Sequence, residues 1–223
     1  MTDTQYLPTV DPPETRLADR TCLVTGASRG IGRGIARDLG AHGASVVVNY
    51  RSSSEAAAEV AAEIEADGGE AMTAQADVAD RDAVEAMCEA VHDEFGSVDV
   101  LVNNAGVTAD RKFEEMTQED WERVIDVNLG GVFNCTKACF DDIRSADEGR
   151  LINISSVVGQ QGNYGQANYA TTKSGLFGFT RTIALELASE GSTANCVAPG
   201  FVETDMLADV PDRVREKIIR RIP

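Results

Sequence analysis

Residues 169–173 read YATTK, so Tyr169 and Lys173 stand four positions apart. On a helix that spacing puts both side chains on one face, where a phenol and an ammonium share one small volume. The chemistry open to such a pair is proton transfer. Tyrosine's ordinary pKa, near ~10, is too high for easy turnover near neutrality, and a neighbouring cation lowers it. A charge about 4 Å away, at an effective dielectric of ~20, is worth roughly 4 kcal/mol, or about three pKa units before desolvation takes some back. The intervening Thr171 and Thr172 are expected to do no chemistry.

A second constellation lies near the other end of the chain, in LVTGASRGIGRGIARDLG. Gly26, Gly30 and Gly32 follow a short apolar run and open an amphipathic one. Glycines there permit a tight turn, close approach of backbone to an anion and packing of helix on strand. The helix start offers free N–H groups and a partial positive charge to a pyrophosphate. A dinucleotide is the leading ligand, against the plainer reading of a loop that merely needs flexible glycines. The next β-rich run ends VVVNYRSSS, with no acid to bind a ribose 2′-OH and with Arg51 in place. Arg29, inside the turn, is a second cation. Forked guanidinium groups suit a 2′-phosphate, which points to NADPH, unless both arginines are ordinary solvated surface residues.

These residues need a frame, and the pattern of the chain supplies one. TCLVTG, ASVVVNY, EAMTAQADV, VDVLVNNAG, GRLINISS and STANCVAPG are each separated by a stretch long enough for a helix. Alternation of this kind predicts an α/β fold, a parallel sheet covered by helices on both faces. Continuous apolar cores such as SVVV agree with strands buried on both sides. Residues 1–18, with prolines at 8, 12 and 13, are expected to be a mobile arm, and 19–223 a single domain.

Composition narrows the function classes. With 223 residues, 43% of them hydrophobic, the chain can bury a full core. No run approaches the ~18 apolar residues of a membrane span, and the N-terminus lacks the marks of a signal peptide, so a cytoplasmic protein is expected. The formal charge of −17 argues against nucleic acid or an anionic membrane as partner. Thirty-seven acids against four lysines and sixteen arginines also suit a halophilic protein, where concentrated salt screens self-repulsion. The five cysteines form no CxxC pair and two histidines complete no usual metal set, so no metal is expected and the thiols read as reduced packing residues.

TGASRGIG, NNAG, VNL, ISS, YATTK and PG occur in this order, and together they resemble the short-chain dehydrogenase/reductase family over about residues 18–223. The resemblance implies a doubly wound, Rossmann-type parallel sheet of order 3-2-1-4-5-6, a seventh strand that this chain does not reach, and a homotetramer. It implies that Tyr169 is the proton donor and that Lys173 lowers its pKa and holds the nicotinamide ribose. Ser156 would hydrogen-bond the substrate carbonyl, with Ser155 the competing candidate, and Asn128 would anchor a water relay to the lysine. The cofactor would further touch Ser28 and Ile31 in the glycine turn. Asp77 and Val78 would flank the adenine, Asp77 alternatively capping the next helix. Asn104, Ala105 and Gly106 would support the adenosine ribose and the central sheet, and Pro199, Gly200, Val202 and Thr204 the carboxamide and phosphate. Residues 200–223 would form a substrate lid.

Within that family the chain looks most like reductases of 3-oxoacyl thioesters, giving the (R)-3-hydroxyacyl product. Tyr164, Gln166 and Phe201 resemble an acetoacetyl-CoA pocket, as in polyhydroxyalkanoate synthesis, whereas GQANYA leans towards the acyl-carrier-protein reductases of fatty-acid synthesis. The expectation set here is CoA over the carrier protein. A dinucleotide sensor without turnover is the remote alternative, disfavoured because all four catalytic positions are filled.

Overall fold

The computed structural model describes residues 17–200 and 202. Six parallel strands form one sheet of order β3-β2-β1-β4-β5-β6, the order that the family resemblance implies. The strands are β1 (Thr21–Val24), β2 (Ser45–Tyr50), β3 (Glu70–Gln75), β4 (Val100–Asn103), β5 (Arg150–Ile154) and β6 (Thr193–Val197). Between them run α1 (Gly30–Ala41), α2 (Ser54–Ala66), α3 (Arg81–Phe95), α4 (Gln118–Ile125), α5 (Gly131–Ser145), α6 (Val158–Gln161) and α7 (Ala167–Leu187).

The two-residue period of a strand explains how one sheet feeds two cores. Leu23, Val47, Leu101 and Leu151 point to the layer containing Val84, Met87, Cys135, Cys139 and Leu187. Their neighbours Cys22, Val24, Val46, Val48, Val100 and Val102 point the other way, onto Ala36, Ala57, Val60 and Ile64. Leu17, within the expected arm, packs against this second core and donates its N–H to His42 O at 2.9 Å.

A polar row crosses the first layer. Asn103 Nδ2 donates to Thr136 Oγ1 at 3.1 Å and to Asn153 Oδ1 at 2.9 Å, and Asn153 Nδ2 donates to Thr180 Oγ1 at 2.9 Å. Every member is buried, so each hydrogen bond offsets a desolvation cost that an unpaired amide would bear in full. The row ties β4, β5, α5 and α7 together just below their functional ends.

From β1 the chain winds outward to β2 and β3 in one direction and to β4, β5 and β6 in the other. The two following loops therefore diverge above β1 and β4, which opens a crevice at the carboxyl ends of the strands. Among the described residues, no helix is long and apolar enough to cross a membrane and no cluster of His, Cys, Asp or Glu could hold a metal ion. All five cysteines are free, four of them buried, and the Cys88 and Cys139 sulfurs touch at 3.6 Å.

Candidate active site

The glycine turn forms one wall of the crevice. Gly26 and Gly30 adopt φ of +62° and +56°, where a side chain would be strained. A Cβ on Gly32 would lie 2.5 Å from Gly26 O, so the first turn of α1 sits directly on the loop. Arg29 occupies the position before α1 without capping it by its side chain, and no acid lies in the first turn. The first N–H groups of α1 are thus uncapped by side chains at the crevice, which fits a pyrophosphate. Ser28 is buried in this turn, Ile31 half-buried and Arg29 exposed.

Three polar residues set the turn. Asn49, on β2, accepts from Gly26 N–H at 3.1 Å, while its amide donates to Ala74 O and Ala76 O, each at 3.2 Å. The Thr25 hydroxyl accepts from the N–H groups of Asn104 and Ala105 at 2.9 and 3.0 Å. Asn104 Nδ2 donates back to Thr25 O at 2.9 Å and Gly26 O at 3.1 Å. Asn104 therefore fixes the shape of the turn across the gap between β1 and β4. Asn49 and Thr25 escaped the sequence reading, although an asparagine amid valines in SVVVNY is a signal, because a buried amide must find partners.

At the adenosine end, Arg51 does not stand free. Its guanidinium pairs with Asp77 at 3.7 Å, both side chains being well exposed, and its carbonyl accepts from Gln75 Nε2 at 3.1 Å. Asp77 accepts from Ala79 N–H at 3.0 Å, and it is Asp80 that caps α3, through Asp82 N–H and Ala83 N–H. The alternative of Asp77 as helix cap is thereby replaced by a local turn three residues earlier. Val78 lies buried beneath α5, where a Cβ on Gly131 would come within 2.5 Å of it.

The second wall carries Ser156, Tyr169 and Lys173. Lys173 is 4% exposed, and its ammonium donates to Ile154 O at 2.8 Å. It stands 5.6 Å from the centroid of the Tyr169 ring. Burial pushes the lysine down to about 8, with Cys196 acting weakly the other way. The expected lowering of the phenol, which counted Lys173 together with a positive nicotinamide, is not supplied by the protein's own groups. Burial raises Tyr169 above its ordinary value, the Ser156 hydroxyl opposes that rise, and the Asp110 carboxylate adds to it. The physical reason is that desolvation acts directly on the phenolate, while the lysine's proton is aimed at a carbonyl of β5.

The two serines separate clearly. Ser155 is buried, and its hydroxyl donates to Lys173 O at 2.6 Å, which fastens α7 to β5. Ser156 is half-buried and its oxygen accepts from Val158 N–H at 3.2 Å, leaving its own proton to face the phenol. The approach of α6 to α7 is close enough that a Cβ on Gly159 would sit 2.6 Å from the Lys173 carbonyl carbon.

Asn128 lies in a π-helical turn, Asp126–Gly130, that joins α4 to α5. Such widened turns recur at functional sites. Wholly buried, its side chain accepts from Val107 N–H at 2.8 Å and donates to Val107 O at 3.0 Å and to Thr172 Oγ1 at 3.3 Å. Thr172 in turn donates to Tyr169 O at 2.8 Å, so this threonine positions the site without reacting. A Cβ on Gly106 would meet Asn128 Oδ1 at 3.3 Å and Lys173 Nζ at 3.5 Å, which puts Gly106 at the junction of the two. Ala105, half-buried, packs on the glycine turn 3.0 Å from where a Gly26 Cβ would lie.

The mouth is built from the segment after β4 and the start of α7. Gln166 donates to Asp110 at 2.9 Å and accepts from Asn163 at 2.9 Å, while Tyr164 is 81% exposed. Asn168, unsuspected from sequence, is fully buried and donates to Ala109 O and Asp120 O, each at 3.0 Å. Pro199 O accepts from Val157 N–H at 3.0 Å, carrying the chain past β6 to the exposed Gly200 and Val202. Phe201, Thr204 and the rest of the expected lid lie outside the described residues.

A glycine turn at the switch point of a doubly wound sheet, facing a buried lysine and a tyrosine across the crevice, defines a dinucleotide-dependent oxidoreductase. The chain belongs to the short-chain dehydrogenase family, whose model, described as short chain dehydrogenase, matches residues 20–215. It is 52% identical over 209 residues to the 3-oxoacyl-acyl-carrier-protein reductase of Synechocystis sp., covering 94% of this chain and 83% of the relative. The reductase of the same name from Staphylococcus aureus is 50% identical over 204 residues, 92% of this chain and 83% of its own length. That from Staphylococcus epidermidis is 48% identical over 205 residues, 92% and 84% of the two chains. The cofactor is a nicotinamide dinucleotide, read from the sequence as NADPH, and the uncapped α1 start and the close glycine turn fit its pyrophosphate.

Proposed function

We propose that this chain reduces a 3-oxoacyl thioester to the 3-hydroxyacyl thioester, with the acyl group presented on an acyl carrier protein. The observation that supports this most is the gathering of Ser156, Tyr169 and Lys173 beyond β5, in a chain about half identical to reductases named for that substrate. When bound along the glycine turn, NADPH would supply the hydride for C3 of the substrate. Tyr169 gives its phenolic proton to the oxygen that becomes the hydroxyl. The Ser156 hydroxyl donates a hydrogen bond to the same oxygen as negative charge develops on it. Lys173, its ammonium anchored on Ile154 O and 5.6 Å from the centre of the Tyr169 ring, would hold the nicotinamide ribose beside the phenol. Asn128 braces the backbone at Val107 and the α7 turn that carries both residues. Arg51 and Arg29 would take the 2′-phosphate, Arg51 by exchanging or sharing its contact with Asp77.

The sequence alone favoured acetoacetyl-CoA, and the relatives' names move the reading to the carrier protein. One observation keeps CoA as a second reading: Tyr164 and Gln166, which resemble an acetoacetyl-CoA pocket, stand together at the mouth of the crevice. Consumption of NADPH, followed with acetoacetyl carrier protein and with acetoacetyl-CoA, separates the two. Higher kcat/KM on the carrier protein is expected, and a higher value on CoA would reverse the choice. Equal kcat/KM with NADH would remove the roles given to Arg29 and Arg51.

A further inference from the structure

The segment after β4 is pinned to the start of α7 by three successive hydrogen bonds centred on Asp110. Ala109 O accepts from Asn168 Nδ2 at 3.0 Å, the Asp110 carboxylate accepts from Gln166 Nε2 at 2.9 Å, and Arg111 N–H donates to Gly165 O at 2.8 Å. Gln166 is itself oriented by Asn163. It is the N-cap of α7, whose first turn carries Tyr169. The carboxylate is therefore held against the turn that carries the phenol.

We propose that Asp110, latched over the first turn of α7 by Gln166, is a positioning residue that sets the pH range in which Tyr169 acts. The inference rests on reading Tyr169 as the proton donor. A fixed negative charge beside a phenol disfavours the phenolate, so it keeps the tyrosine protonated to higher pH and makes its proton harder to release. The other groups around the ring act differently. From α7, Lys173 turns its ammonium to Ile154 O; from the end of β5, Ser156 stabilises the phenolate; from β6, the Cys196 thiol bears on Lys173. From α4, Asp120 is engaged by Thr117 and lies 3.9 Å from Arg111. Of these carboxylates, Asp110 is the one whose charge raises the phenol, and its hydrogen bond to Gln166 holds it at the start of the helix that carries Tyr169.

The test reads the phenol itself, with no substrate or cofactor present. The intact protein is labelled with 13Cζ-tyrosine, the Tyr169 signal is assigned by its loss in Tyr169→Phe, and its titration is followed in wild type, Asp110→Asn, Asp110→Glu and Gln166→Glu. Asp110→Asn should move the midpoint to lower pH, Asp110→Glu should leave it near wild type, and Gln166→Glu, which removes the donor that latches Asp110 and repels its carboxylate from the phenol's turn, should give a midpoint different from that of wild type. The alkaline fall of turnover should shift the same way in Asp110→Asn. An unmoved midpoint in Asp110→Asn, or equal shifts in Asp110→Asn and Asp110→Glu, overturns the proposal. Full activity of Tyr169→Phe would instead overturn the reading of the donor, so the two failures are distinguishable.

Discussion

Lys173 carries an ammonium into a site where only 4% of its surface meets solvent, and its pKa falls from 10.5 to about 8 by desolvation. Below pH ~8 folded and unfolded chains both hold this proton, and the folded one bears the full cost of burying the charge. Above ~10.5 both are neutral and the cost is gone. Between these limits the unfolded chain binds more protons, so stability rises with pH. At 1.36 kcal/mol per unit the interval corresponds to about 3 kcal/mol. Urea unfolding of wild type and Lys173→Met at pH 7 and pH 10 should therefore show the wild type gaining on the variant by up to that amount. A difference that stays flat would mean the lysine is not desolvated. The partner residue predicts a loss of another kind. Tyr169→Phe removes the proton but little volume, so turnover should fall by about 10²–10⁴ while NADPH binding, read by fluorescence titration, is kept. Unchanged turnover would sink the assignment of the donor.

The site depends on α6 and α7 meeting almost backbone to backbone, since Ser156 enters from one side and Tyr169 and Lys173 from the other. Gly159 makes that approach possible, because a Cβ there would lie 2.6 Å from the Lys173 carbonyl carbon and 2.8 Å from Ser174 N. Neither atom can swing away as a side-chain end could. Gly159→Ala should lower stability by about 1–3 kcal/mol, seen in the urea midpoint, and should reduce kcat more than NADPH affinity, since the cofactor turn lies across the crevice. A variant that unfolds earlier but keeps wild-type kcat would show that the serine tolerates the displacement. Gly159 also illustrates where sequence stops being informative. The glycine turn, the parallel sheet and the Tyr169–Lys173 spacing were legible because each is local or follows from alternation of strands and helices, while the strand order came from the family resemblance. Thr25 with Asn104, Asn49 with Gly26, Ser155 with Lys173 and Asn128 with Val107 are pairings across 79, 23, 18 and 21 residues, which no periodicity reports. The π-helical turn at Asn128 likewise has no local sequence signal, being set by how α4 and α5 pack. The phenol's upward shift was missed because spacing tells which groups are near and says nothing of how much water they lose.

For the molecule as a whole, the dominant electrostatic fact is 37 acids against 20 bases. Two opposing consequences of salt follow. Screening weakens attractive pairs, and it weakens the repulsion among the excess carboxylates. The described pairs are mostly exposed, such as Arg81–Glu85 at 72% and 50%, or Lys112–Glu114 at 49% and 76%. Pairs of that kind contribute little, typically under ~1 kcal/mol, so their loss costs little. The repulsion is summed over the whole surface and reaches as far as the Debye length, about 10 Å at 0.1 M and about 3 Å at 1 M. Relief of repulsion should therefore win, and the melting temperature should rise steadily as sodium chloride is increased from 0.1 to 2 M. Repeating the series with sodium perchlorate separates screening from the exclusion effects of a stabilising salt, because both screen alike at equal ionic strength. If the melting temperature rises between 0.1 and 0.5 M in both salts, self-repulsion limits this fold in dilute solution and the halophilic reading stands. A fall over that range in both would mean that the surface pairs outweigh the net charge.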